Sequence, residues 1–314
     1  MKRMPVMNYR GPGCRSLVVA TGLAIALASG VAVHADERRF DKQLPADAHG
    51  MVEISNVSGK IEVTGWDEPQ VSVNANLPSD SDTLDFRSDH GRTTITVKRP
   101  GFSFGFGAGG VNLRVKVPRG SEVEVTAVSA DVTSAGLTGT QRLKSVSGSI
   151  RADIAQADVE AKTVSGDVTL RGQGKPAELH LTTISGSLRL EHGAGDVEAN
   201  TTSGEINMEV DGGRSLRMRT ISGDVVFHGT VTKDADVDTQ TVSGDVKLHA
   251  KPETGYEYEA TTFSGDIDNC FNVKAQRTSQ YGPGERLNGS VGTGGGGHVR
   301  VKTMSGDINL CDKP

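Results

Sequence analysis

Aromatic side chains are scarce in this 314-residue chain: eight Phe, four Tyr and one Trp, 4% of the whole. So few large rings point to a narrow core of Val, Ile, Leu, Ala and Thr and not to the interior of a wide sandwich. Cysteine is as rare, with three residues, which excludes a disulfide-dense mini-scaffold. The 34 basic and 39 acidic residues give a net charge of −5. A negative chain without a basic cluster argues against nucleic acid or an anionic membrane as partner. Past residue 35 no apolar run is long enough for a membrane-spanning helix, and no stretch keeps the 3.6-residue period of an amphipathic one. Reaction motifs are missing too: there is no Gly-x-Ser-x-Gly elbow, no His-Glu-x-x-His and no phosphate loop. The glycines at 294–297 have no helix to follow and make no nucleotide cradle.

What the chain has is one phrase ten times over: an apolar residue, Ser, usually Gly, a small or charged residue, then Val, Ile or Leu. Val57-Ser58-Gly59-Lys60-Ile61 is the first copy, and the others centre on Ser129, Ser147, Ser165, Ser185, Ser203, Ser222, Ser243, Ser264 and Ser305. From Ser129 to Ser264 the spacings are 18, 18, 20, 18, 19, 21 and 21 residues. A period near 20 marks a stacked array in which each unit buries its apolar face on its neighbours. Apolar residues alternate on both sides of the Ser-Gly break, as in Val159/Ala161 before Ser165 and Val168/Leu170 after it. That reads as strand, tight corner, strand. The expected fold is all-β: a β-solenoid, a single-stranded β-helix-like stack of about 20-residue turns. A β-sandwich of repeated hairpins is the alternative.

Several columns run through the repeats. Thr stands two residues before most of the Ser, and Asp two after many: Asp131, Asp167, Asp224, Asp245, Asp266 and Asp307. Gly at the corner tolerates positive φ, and the following Asp is expected to bond the turn amides. Ala130 replaces the Gly in one copy. The residue just before each Ser is apolar almost throughout, although strict alternation from the Thr turns it outward. A β-bulge rotating it inward is the ordinary expectation; an apolar surface stripe marking an interface is the other. Cys270 and Cys311 each lie six residues after a repeat Ser, so stacking of those two turns sets them within disulfide range. His228 and His249 share that column. Four rungs spread the set too far for one tetrahedral zinc, so a disulfide is expected, with no metal and no cofactor, and a metal on His249, Cys270 and Cys311 alone is the alternative.

Residues 1–35 read as a secretory signal peptide. Lys2, Arg3, Arg10 and Arg15 precede an apolar run at 17–28, and Val33-His34-Ala35 supplies small residues for cleavage between Ala35 and Asp36. Cys14 precedes the apolar run and is no lipoprotein acylation site. Loss of four cations and no acid leaves 30 basic against 39 acidic residues, a charge of −9. Residues 36–50 form a polar lead-in. An irregular N-terminal β cap covers 51–118, with strands at 51–57, 60–64, 71–76, 93–98 and 111–117. The regular array is 119–314, broken by a loop excursion at 271–298. Phe102, Phe104 and Phe106, interleaved with glycine, fold back over an open solenoid end or offer a partner-binding loop.

The phrase Ile54-Ser55-Asn56-Val57-Ser58-Gly59-Lys60-Ile61-Glu62-Val63-Thr64-Gly65-Trp66-Asp67, then Val117-Pro118-Arg119-Gly120 and the repeated Thr-Val-Ser-Gly-Asp-Val resemble the bacterial "putative adhesin" family. That family is a β-strand-repeat domain of unknown function in exported proteins, and the resemblance covers 51–311. It implies an envelope or surface role and carries no functional residues over. The expected function is therefore an exported, non-catalytic binding or structural module, located in the periplasm or at the cell surface, with no transmembrane segment in the mature chain. Its partner is an envelope or surface component, protein or glycan. A polysaccharide lyase or hydrolase on a β-helix scaffold is the competing class. N-terminal sequencing of protein from the periplasm is expected to begin at Asp36; intact Met1 in a soluble cytoplasmic pool contradicts export.

Overall fold

A computed structural model describes residues 38–310, apart from 80, 100–108, 281, 294 and 295. The segment expected as a signal peptide, with Ala35 and Asp36, the loop of Phe102, Phe104 and Phe106, and Cys311 all lie outside the described residues. The chain first builds seven strands: β1 (Arg38–Pro45), β2 (Met51–Trp66), β3 (Gln70–Leu77), β4 (Thr83–Asp89), β5 (Arg92–Lys98), β6 (Val111–Pro118) and β7 (Glu122–Ala135). β2 is the first full rung of the stack. Its two halves pair in parallel with β5 and β6 on one side, and with β7 along nearly its whole length on the other. Beyond β5 and β6 the pairing turns antiparallel, β4 on β5, β3 on β6 and β1 on β3. The segment expected as a polar lead-in thus contains an edge strand.

A buried ion pair ties this end together. Arg99 donates from Nε and Nη2 to the two carboxylate oxygens of Asp82, at 2.9 and 3.1 Å, and from Nη1 to Ser58 Oγ at 3.2 Å. Asp82 is fully buried. A fork-to-fork pair of this kind gives geometric specificity as well as attraction.

The regular array follows as β8 (Gln141–Lys144), β9 (Ile150–Asp153), β10 (Val159–Lys162), β11 (Val168–Arg171), β12 (Ala177–Thr182), β13 (Leu188–Asn200), β14 (Ile206–Arg219), β15 (Val225–Gln240) and β16 (Val246–Pro252). Every rung pairs in parallel with the one before, Val159 on Gln141 and Leu179 on Val159 along one face, Val168 on Ile150 and Leu188 on Val168 along the other. Parallel like-for-like stacking is a solenoid and not a sandwich of hairpins. Short apolar side chains from both faces fill the interior; Phe227 is the largest side chain buried completely.

The C-terminal elements are β17 (Gly255–Ser264), β18 (Ile267–Asn269), β19 (Gln276–Arg277), β20 (Glu285–Gly292), β21 (Gly297–Ser305) and β22 (Ile308–Leu310). Their order in space is not their order in sequence. β21 pairs in parallel with β15 on one side and β17 on the other, and β22 lies likewise between β16 and β18. The rung of Ser305 is thus inserted between those of Ser243 and Ser264. The excursion expected as a loop contains β20, which runs antiparallel along the outer edge of β17.

The corner glycines owe their place to this stacking more than to their φ. A Cβ on Gly223 would sit 2.1 Å from the carbonyl oxygen of Gly204, and one on Gly244 2.0 Å from that of Gly223. Ala130 is tolerated because β2 and β7 run through this corner as continuous paired strands, with Ala130 opposite Gly59. Gly223→Ala is expected to lower stability by about 2–4 kcal/mol, since the obstacle is backbone and cannot rotate away. Gly212→Ala, where an added Cβ has nothing within 4 Å, should stay within about 0.5 kcal/mol. Denaturant titration of both variants checks the contrast.

Candidate functional site

Each corner is built by three successive residues. The Thr two before the Ser points inward and is buried, at Thr163, Thr183, Thr201, Thr220, Thr241, Thr262 and Thr303. Its hydroxyl donates to the carbonyl of the repeat glycine one rung back: Thr183 to Gly166 at 3.0 Å, Thr163 to Gly148 at 3.1 Å, Thr262 to Gly306 at 3.1 Å. Asn56 plays the same part in the first rung, donating to Val111 O at 2.9 Å. Thr220 is the exception, its buried hydroxyl lacking a partner.

With the inward place taken, the next residue faces out. Val57, Val128, Val146, Val164, Ile184, Ile221, Val242, Met304 and Phe263 are 40% to 64% exposed. The bulge expected to turn this column inward is absent at these corners, and the surface-stripe alternative holds instead. Main-chain bonds hold the ladder in register, the Ser N–H donating to the carbonyl of the apolar residue one rung back, Ser165 to Val146 at 2.9 Å and Ser243 to Ile221 at 2.8 Å. In spatial order the stripe crosses ten rungs, broken only by Thr202. It is roughly 43 Å long at the spacing of stacked strands.

The stripe has flanks of opposite sign. Three residues before the Ser stand Lys144, Lys162, Arg219 and Lys302 among neutral residues, and no acid. Two residues after it stand Asp131, Asp167, Glu205, Asp224, Asp245, Asp307 and Asp266, with Ser149 and Ser187 between them and Lys60 in the first rung. The Asp do not bond their own turn, as expected, but the next: Asp131 accepts from Ser149 N, Asp224 from Asp245 N, Asp245 from Asp307 N and Asp307 from Asp266 N, at 2.8–2.9 Å. A ladder of carboxylates thereby becomes a ladder of amide acceptors, which offsets part of the repulsion between stacked acids. On the basic side Arg219, Gln240 and Lys302 line a shallow groove of about 390 Å³ together with Ile221, Val242 and Met304.

Farther from the corner, ion pairs lie on both broad faces, across rungs as in Arg171–Glu191 and Arg214–Asp196 and within one strand as in Lys162–Glu160. Arg214 donates to Asp196 and holds its carboxyl below the usual range, and the Lys162 ammonium beside Glu160 does the same there. A lowered carboxyl contributes stability above its unfolded pKa, and that contribution is lost as pH falls through the folded value. A second depression, about 460 Å³, lies at the C-terminal end among Glu257, Glu259, His298 and Arg300. Its charges pair with one another, Arg300 with Glu259 at 3.9 Å and His298 with Glu257 at 3.7 Å. Nearby, burial pushes the Tyr256 hydroxyl up to about 12.

The strand insertion also revises the His–Cys column. His228 and His249 pack edge to face, ring centroids 4.4 Å apart. The next rung in space is that of Ser305, so His249 and Cys270 are not on neighbouring rungs. Among the described residues no three His, Cys, Asp or Glu are placed to hold a metal ion, and no helix is long and apolar enough to cross a membrane. Sequence reasoning missed the Arg99–Asp82 pair; its only trace is one Asp of the Ser79-Asp80-Ser81-Asp82 run and the Arg of Lys98-Arg99, in a stretch outside the repeat period.

A parallel stack of rungs about 20 residues long, with an inward hydroxyl ladder and an outward apolar one, is a β-solenoid of the all-β repeat class. Residues 49–311 match the model of the Toastrack DUF4097 family, and the chain belongs to that family. Among solved structures it is similar to a "putative adhesin" from Parabacteroides distasonis, with 9% identity, a TM-score of 0.50, and coverage of 88% of this chain and 98% of that one. A "putative adhesin" from Bacteroides fragilis matches with 12% identity, a TM-score of 0.45, and coverage of 88% and 99%. No curated protein matches. The likeness to these structures is one of fold.

The hydroxyl ladder generates a paired prediction. Thr183→Val should cost about 1–2 kcal/mol, because Gly166 loses the donor to its buried carbonyl. Thr220→Val removes a hydroxyl that has no partner and should be neutral or slightly stabilising. Chemical denaturation of the two variants side by side reads the difference.

Proposed function

We propose that the chain is an exported, non-catalytic module of the bacterial envelope or cell surface, and that it works by docking through the apolar corner stripe. The observation that carries this reading is the stripe itself: nine exposed apolar side chains in one straight ladder, beyond what scattered surface residues account for. Export is supported by the basic, apolar and small-residue pattern of 1–35. It is supported as well by Cys270, which is present as a half-cystine. Asn269 pairs with Leu310, and Cys270 and Cys311 are the residues that follow these two in the sequence, which supports Cys311 as the proposed partner. A bond closing a 40-residue loop would add about 3–4 kcal/mol in the chain-entropy model. The enzyme reading is disfavoured by how the acids are used, since the Asp column serves amides rung after rung and the Glu257–Glu259 depression is internally paired. The name of the Parabacteroides distasonis structure agrees with a surface role and says nothing of the ligand.

The test is retention of the mature chain on envelope fragments from the producing cell. Wild type should be retained, and Ile184→Glu/Ile221→Glu should wash through while melting normally. Equal retention of the two proteins would remove the stripe from the function, and release of reducing ends from envelope polysaccharide would replace docking with catalysis. A non-reducing peptide map should contain the Cys270–Cys311 pair.

A further inference from the structure

Resting on the reading of the stripe as a docking surface, we infer that its occupant is the stripe of a second copy, packed in parallel about a two-fold axis that runs along the solenoid. The argument is one of charge. A two-fold parallel to the stack brings each rung against the same rung of the other copy, and sets the basic flank of one chain against the acidic flank of its mate. Three rungs carry both members of the pair: Lys162 with Asp167, Arg219 with Asp224, and Lys302 with Asp307, all exposed. In the antiparallel arrangement basic meets basic and acid meets acid, which disfavours that partner geometry. Opposite signs on the two flanks of one stripe therefore select the parallel dimer.

Local partners do not cancel this selection. Arg219 lies 3.6 Å from Asp238, and Lys162 pairs with Glu160 on its own strand. Both side chains remain about half exposed, so each has donors left for a carboxylate across the interface. On the acidic side, Asp224 and Asp307 accept their amides through Oδ1, so those bonds do not use Oδ2.

The size fits as well. The nine apolar residues expose on the order of 800–900 Å² between them, close to the 800 Å² or so that one partner contributes to a specific interface. The interface is isologous: Ile184 meets Ile184 and Ile221 meets Ile221. Only Thr202 interrupts it, facing another Thr202.

Sedimentation equilibrium of the purified mature chain should give a dimer, and Ile184→Glu/Ile221→Glu a monomer with an unchanged circular dichroism spectrum. Orientation is read by spin labels at Val146→Cys and, separately, at Met304→Cys. The parallel dimer gives short same-site distances for both. An antiparallel dimer centred on the stripe separates each pair by about 24 Å or more, at five or more rungs. The inference is overturned by a monomer at every concentration, by a dimer that survives the double Glu substitution, or by long same-site distances. It is also overturned by a monomer that binds anionic phospholipid vesicles only when the stripe is intact, which assigns the surface to lipid. Loss of envelope retention in the double variant, with a wild type that is monomeric in solution, would leave the docking reading standing and sink only the self-association.

Discussion

At the corners of Gly204, Gly223 and Gly244 the carbonyl oxygen of the preceding repeat glycine lies only 2.0–2.1 Å from where a Cβ would be, and the rest of the array is arranged around that approach. It forces glycine at one position and aims the carbonyl inward, so an inward donor has to meet it. The Thr hydroxyl supplies that donor from a β-branched residue that also suits a strand. Placing Thr inside turns its successor outside. The exposed stripe is therefore a by-product of how the corner is closed, before any question of what it binds. What is left to selection at that position is the choice between a polar and an apolar residue, and in nine of ten rungs it is apolar.

Much of the fold was legible because a solenoid writes its geometry as a period. Spacing gave the rungs, alternation gave the buried columns, and the like-for-like Thr, Gly and Asp positions gave the stacking. The errors have physical causes. Periodicity along the chain carries no information on which rung lies beside which, so the insertion of the Ser305 rung was invisible, and with it the true neighbour of His249. The bulge expected at the apolar column came from a preference for burying Val and Ile. The column obeys plain alternation instead, because the inward place is reserved for a hydroxyl. Glycine looked like a conformational requirement, whereas the decisive contact is with another rung, some 20 residues away in sequence.

The two sign-separated flanks show a second consequence of stacking. Any residue repeated every rung becomes a column, and a charged column is repelled along its whole length. The Asp flank relieves this through amide bonds, while the basic flank is thinned by Thr, Asn and Gln between its cations. Each column is thus tolerable alone, and together they make a surface whose two edges differ in sign.

The strand inserted near the C-terminal end bears on how such a chain can change in length. Repeat arrays commonly grow by duplication of a terminal unit, since the newest copy finds a free edge to pair with. Here the unit of β21 with β22 is flanked on both sides, and the edge beyond β17 is taken by β20 with the short β19, antiparallel strands of another kind. A tandem copy of the final unit would have no edge of its own type on which to stack. Between β8 and β16, by contrast, the rungs pair in parallel in sequence order, so removing or adding a whole rung there leaves both ends as they are.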